Sequence, residues 1–190
     1  MEIKNFVQIY DNCLNIKTIG NLIRYANTCE FVLGTVGSET QSGIKNENIR
    51  KAYTTVLSQN SKSLSNVHWH NFLFNFFSNR IKQYAVDMNA HHFSFTTVFD
   101  IEILKYEKTF HYTWHTDHFA RIPRTMSCIL LLNNDYEGGN LCFANPDMSE
   151  PYEIEVKPNR LIIWPSNFMY PHTVKPVTKG KRYSVVAWAI

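Results

Sequence analysis

The sequence predicts a mainly β, α+β domain: an antiparallel sandwich or barrel made by the second half, with helices from the first half packed on one face. Three observations carry this expectation. Apolar residues recur every three or four positions before about residue 90 and every two positions after it. Turn-forming clusters then separate the alternating runs at short intervals, with no helical pattern between them. Finally, 190 residues with 13 Phe, 10 Tyr and 4 Trp can enclose one sizeable core, burying about 70% of the unfolded surface.

The elements follow in order. From about Thr18 to Thr28, Ile19, Leu22, Ile23 and Ala26 mark the inner face of a short helix. Residues 35–49 (TVGSETQSGIKNENI) are polar and turn-rich, and are expected to form a mobile loop able to serve as a lid. Residues 65–88 place Trp69, Phe72, Leu73, Phe76, Phe77, Ile81, Tyr84, Ala85 and Met88 mostly three or four apart, one broad helix face. Ser65 and Asn66 both suit its N-cap. After residue 90, FSFTTVFDIEILKY, MSCILLL, NLCF, YEIEV, RLIIW and RYSVVAWA alternate or run apolar, as strands do. Asn133-Asn134-Asp135, Gly138-Gly139, Asn145-Pro146-Asp147, Lys157-Pro158-Asn159 and Lys179-Gly180-Lys181 punctuate them. The expectation is a single domain over 1–190, with a helical support region at 1–90 and a β core at 91–190.

Composition narrows the function. Aromatics at 14% argue against disorder. The net charge of +3 is not clustered, so a nucleic-acid partner is not indicated. Cys13, Cys29, Cys128 and Cys142 show no CxxC spacing and are too sparse for a disulfide scaffold. Reduced thiols in a cytoplasmic protein are the expectation. The N-terminus lacks the apolar region of a signal peptide, and no apolar run is long enough for a membrane span.

The eight His are the side chains best suited to a metal or a proton. His115 and Asp117 stand two apart, which on a strand puts imidazole and carboxylate on one face. Alone the pair is weak, and a plain His–Asp hydrogen bond at a strand end explains it equally well. His172, after Pro171, and Arg182, opening the last strand, strengthen it. Alternation puts Arg182, Ser184 and Val186 on one face. Two His and one carboxylate form the facial triad of non-haem Fe(II) oxygenases, leaving coordination positions open. A guanidinium in the same pocket suits a dicarboxylate, because its planar fork stays protonated.

The segments YEKTFHYTWHTD, RTMSCILLLNNDYEGGNLCF and RLIIWPSNFMYPHTVKPVTKGKRYSVVAWA resemble the catalytic half of the prolyl 4-hydroxylase-type 2-oxoglutarate/Fe(II) dioxygenases. The likeness covers about residues 93–190. It rests on ordered features: Tyr106 ahead of the H-x-D, Arg124 and Ser127 at a strand start, Leu132-Asn133, Gly138-Gly139, Pro165-Ser166, His172 and Arg182. It implies a double-stranded β-helix, or jelly roll, with the N-terminal helices on one sheet. It implies that His115, Asp117 and His172 bind Fe(II), that Arg182 pairs with the distal carboxylate of 2-oxoglutarate, and that Tyr106 hydrogen-bonds this co-substrate. It gives Ser127 a hydroxyl role in the same pocket, which Ser184 is placed to join. O2 is the second co-substrate and ascorbate an accessory reductant. The implied reaction is hydroxylation of an unactivated C–H bond with release of succinate and CO2, with peptidyl proline as the first substrate candidate. A free amino acid, small metabolite or nucleobase is the alternative, and a non-catalytic metal-binding jelly roll the remote one.

Some residues depart from the family pattern: Thr109 where Gly is common, Leu131 where some relatives have Tyr, Asn140 after Gly-Gly, and Trp164 for Phe. His118 and Arg124, in the loop after Asp117, are the candidates for substrate contact. Tyr112 and Trp114 have strand parity opposite to His115 and are expected to pack elsewhere. Trp188 is expected in the core, and His68, His70, His91, His92 and His111 are expected to be structural.

Overall fold

The computed structural model describes residues 2–36, 43–118, 121 and 123–190. The centre of the expected 35–49 loop, residues 37–42, and positions 119, 120 and 122 of the loop after Asp117 lie outside the described residues. In chain order the elements are β1 (Gln8–Tyr10), α1 (Ile16–Thr28), β2 (Val32–Leu33), β3 (Arg50–Lys51), β4 (Tyr53–Val56) and α2 (Leu64–Asp87). There follow β5 (Val98–Tyr106), β6 (His111–His115), β7 (Met126–Leu131), β8 (Glu137–Gly138), β9 (Leu141–Phe143) and β10 (Tyr152–Glu153). The chain closes with β11 (Arg160–Pro165), β12 (His172–Val174), β13 (Val177–Lys179) and β14 (Arg182–Ala189).

Two antiparallel sheets face each other. The larger runs β1-β11-β7-β14-β5-β4-β2 and the smaller β10-β9-β12-β6-β3; β13 and β8 form a separate ribbon. The chain crosses between sheets repeatedly, so β5, β14, β7 and β11 lie opposite β6, β12, β9 and β10. That is the double-stranded β-helix, or jelly roll. Strand parity explains its two cores. On β14, Tyr183, Val185, Ala187 and Ala189 join a cluster with α1 and α2. Val186 and Trp188 turn the other way, into a second cluster between the sheets with Phe143, Val174 and Trp164. Because both faces are covered, β14 is buried along its whole length.

The helices cover the large sheet. In α2, Trp69, Leu73, Phe77, Ile81 and Tyr84 are buried at steps of four and three. Asn15 caps α1, its side chain accepting from Lys17 N–H at 2.8 Å. The cap of α2 is Ser63, not Ser65 or Asn66. Asn66 is drawn off by tertiary contacts: its Nδ2 donates to Val56 O at 3.1 Å and its Oδ1 accepts from Ser58 N at 2.8 Å.

The first half is less purely helical than its periodicity predicts. It also supplies β1 to β4, strands of two to four residues. A period of two cannot show in runs so short. They become extended by pairing with longer strands: β1 with β11, β4 with β5, and β3 with β6. Conversely, residues 93–97 precede β5 without joining it.

Candidate active site

The three residues able to hold a metal come from the small sheet and the loop that leaves it. His115 ends β6, His172 opens β12, and the two are paired in register. Asp117 follows two residues after His115. One ligand atom from each of the three lies within 4.8 Å of the others. His115 Nδ1 lies 2.8 Å from Thr113 O, and His172 Nδ1 lies 3.1 Å from Tyr170 O. A carbonyl only accepts, so each Nδ1 carries the hydrogen and each Nε2 presents a lone pair. Those Nε2 atoms stand 3.8 Å from Asp117 Oδ1 and 3.5 Å from Oδ2. In their neutral form both imidazoles turn Nε2 toward the carboxylate, and two imidazoles with a carboxylate are the donor set that suits Fe(II).

Hydrogen bonds hold Asp117 in place. Ser127 Oγ donates to Asp117 Oδ2 at 2.6 Å. Ser127 and Ser166 hydroxyls lie 2.7 Å apart. With the Ser127 hydrogen committed to the carboxylate, Ser166 must donate to Ser127. Burial acts on the acids and bases differently. It pushes His115 down to about 3, helped by the neighbouring His172. It raises Asp117, but His172, His115 and the Ser127 hydrogen bond outweigh it and hold the carboxyl below its usual range. Ser127 therefore serves the metal ligand directly. The order Ser166 to Ser127 to Asp117 could not be read from the sequence, because Ser166 joins it from a strand end distant in the chain.

Arg182 is one of the largest fully buried side chains. Its Nη1 donates to Ser184 Oγ at 2.9 Å, as their shared strand face predicts. Its Nε and Nη2 are buried without a partner among the described residues. Tyr106 is its register partner across β5 and β14, and the guanidinium lies 5.1 Å from that ring centre. Gly139 (φ +65°) makes room: a Cβ there would stand 3.0 Å from Arg182 Cδ and 2.9 Å from Val177 Cγ2. A buried cation with two unmade N–H bonds fits a carboxylate ligand.

The triad lines a cavity of about 260 Å³, together with Tyr106, Ser127, Leu104, Ile129 and Val186. Tyr112 lines it too, contrary to its strand parity. The pairs His172–His115 and Val174–Tyr112 set three residues of β6 against two of β12, and this bulge brings Tyr112 onto the His115 side. The two rings stack at 3.5 Å. Trp188 is a wall of the cavity as well as a core residue, and Arg124 lies over its ring at 3.8 Å. Arg124 lines the cavity and lies 3.3 Å from Asp100. His118 is exposed and stands apart from the cavity lining; its Nδ1 faces Arg124 O at 3.0 Å. Sequence reading missed Arg50 and Glu102, which both line the cavity. Arg50 sits in one of the short strands that give no periodic signal.

Residues 101–190 match the family model of the 2OG-Fe(II) oxygenase superfamily. Human prolyl 3-hydroxylase 2 is 40% identical over 67 residues, 34% of this chain and 9% of that protein. A PKHD-type hydroxylase of Gloeothece citriformis is 32% identical over 90 residues, 44% of this chain and 39% of that protein. The match thus spans well under two thirds of either relative. Among solved structures, a Trichoplax adhaerens prolyl hydroxylase in complex with a hypoxia inducible factor peptide fragment aligns over 98% of this chain and 84% of its own, at TM-score 0.76 and 18% identity. A Pseudomonas putida prolyl-4-hydroxylase aligns over 97% and 91%, at TM-score 0.70 and 18% identity. At these identities the structural likeness shows the fold. Among the described residues, no helix is long and apolar enough to cross a membrane.

Proposed function

We propose that the chain, whose residues 101–190 match the family model of the 2OG-Fe(II) oxygenase superfamily, is a 2-oxoglutarate- and Fe(II)-dependent hydroxylase of peptidyl proline. One observation carries the co-substrate part of this reading: a buried guanidinium with two unmade N–H bonds, in a fold where the neighbouring cavity holds two imidazoles and a carboxylate. The substrate part is supported by the prolyl hydroxylases among the relatives and structural neighbours.

Bound Fe(II), with 2-oxoglutarate and O2, supplies the oxidising power that yields succinate, CO2 and a hydroxylated product. The protein orients the participants. His115, Asp117 and His172 hold the metal, and Ser127 fixes the carboxylate. Arg182, steadied by Ser184, takes the distal carboxylate of 2-oxoglutarate, and Tyr106 donates a hydrogen bond to the same molecule. Burial keeps the Tyr106 phenol above its usual range, so it stays protonated and able to donate. Leu104, Ile129 and Val186 keep the floor apolar and exclude water. Arg124, at the wall, contacts substrate. Four free thiols suit a reducing cytoplasm, with ascorbate as accessory reductant.

Succinate release in air tests the assignment. Pro-rich peptides, free proline and oligonucleotides are compared as stimulators. The peptides are expected to stimulate most. Stimulation by free proline alone would move the assignment to a free amino acid, and no succinate with any of them would end the hydroxylase reading.

A further inference from the structure

Beside the triad, where β3 extends the small sheet next to β6, the cavity lining carries a second unsatisfied polar group. Arg50 projects from β3, whose register partner on β6 is Tyr112, and its guanidinium lies 5.2 Å from that ring centre. Its side chain is 12% exposed. Nη1 donates to Thr35 O at 3.0 Å, and Nε is buried without a partner among the described residues. Nη2 stands 3.6 Å from Glu102 Oε2, which is beyond a hydrogen bond, and that oxygen is itself buried without a partner among the described residues. Glu102 faces the cavity by the same strand parity as Leu104 and Tyr106, just after a bulge in β5 at Asp100 (φ 49°), where the register against β14 shifts between Val186–Glu102 and Trp188–Phe99.

Buried donors and acceptors left unmade are unfavourable, so a ligand that completes both is favoured. The pair is neutral overall, which suits a neutral group offering one donor and one acceptor side by side. An extended peptide residue does this, because its N–H and C=O lie on the same edge. Proline has no N–H to offer. The residue before proline has one, and proline's ring pushes it into the extended region.

Resting on the peptidyl-proline reading above, we propose that Arg50 and Glu102 read the backbone of the residue preceding the target proline. The guanidinium donates to its carbonyl, and the carboxylate accepts its N–H. The pair is thus a specificity device for Xaa-Pro peptides over free proline.

The test uses a capped peptide with one Ala-Pro pair and the same peptide carrying N-methylalanine. Succinate release by the full chain gives kcat/KM for each. Methylation is expected to lower the wild-type value about tenfold, the effect of one lost hydrogen bond to a charged group. Glu102→Met is expected to lose a similar factor on the unmethylated peptide and to turn over both peptides equally. A methylation loss of the same size in wild type and Glu102→Met overturns the proposal. So does a wild-type enzyme indifferent to methylation, which needs no variant to fold. If no Xaa-Pro peptide drives wild-type succinate release, the peptidyl-proline reading falls and this inference with it.

Discussion

The two functional ends of the pocket are built on opposite terms. At the metal end nearly every hydrogen bond is made. Two backbone carbonyls set the His tautomers, and Ser166 and Ser127 set the carboxylate. At the end expected to take the co-substrate, Arg182 keeps two N–H groups without partners among the described residues, and on β3, beside Tyr112, Arg50 keeps one. The contrast teaches how the protein divides its work. Ligands to a metal must be oriented beforehand by a second layer of hydrogen bonds. Groups that read an organic molecule are held rigid but left with bonds for that molecule to make.

Removing a triad residue breaks the contrast most severely. His115→Ala and Asp117→Ala are expected to lose Fe(II) binding, read by metal content after dialysis, and to drop succinate formation to background. Circular dichroism is expected to stay native, because the fold rests on the two apolar cores. Retained stoichiometric Fe(II) in either variant would contradict the site.

Ser166→Ala tests the supporting layer at one remove. It leaves all three ligands but removes the donor that fixes Ser127. Fe(II) affinity is expected to fall about 10- to 100-fold, the usual effect of losing an outer hydrogen bond. Unchanged affinity would show that the serine pair does not act on Asp117.

The metal end also makes a pH signature in the metal-free protein. His115 in the folded state is held near 3, against an ordinary 6.5 when unfolded. Between those values the unfolded chain binds more protons, so stability falls as pH falls. The slope from this group approaches about 1 kcal/mol per pH unit below 6.5. Asp117, also held low, adds loss in the same direction below its unfolded value of 3.8. Urea unfolding at several pH values checks this, and saturating metal is expected to steepen the acid dependence, since the ligands must be deprotonated.

The smallest effect concerns the backbone rather than the pocket. Thr109 has φ 74°, a left-handed conformation poorly suited to a β-branched residue. Thr109→Gly is expected to raise stability by about 1 kcal/mol, read as a higher urea midpoint with succinate formation unchanged.

Legibility from sequence followed the physics of each region. The shared face of Arg182 and Ser184 was readable from strand period, whereas the convergence of His172 with His115 and Asp117 was legible only through the ordered pattern of the resemblance, because His172 lies on a distant strand. The antiparallel sandwich or barrel was readable through the long strands β5, β7, β11 and β14, and its jelly-roll connectivity through the resemblance. Tyr112 was misplaced because a bulge in β6 cancels parity over three residues, and no local signal announces a bulge. Arg50 was missed because β3 has two residues and becomes a strand only by pairing with β6. Ser166 as support for Asp117, and Glu102 opposite Arg50, depend on contacts between distant segments that no spacing rule reaches. His118 stood next to Asp117 in sequence, yet its ring turns to the Arg124 carbonyl.

The central claim is that the triad and Arg182 complete one site for Fe(II) and 2-oxoglutarate. Anaerobic titration of the Fe(II)-loaded protein with 2-oxoglutarate, followed by visible absorption, tests it most directly. A saturable charge-transfer band is predicted in the wild type, and in Arg182→Ala the same band with an apparent Kd raised by about 100-fold, the loss of two hydrogen bonds to a charged group. No band in the wild type, or equal affinity in Arg182→Ala, would contradict the account.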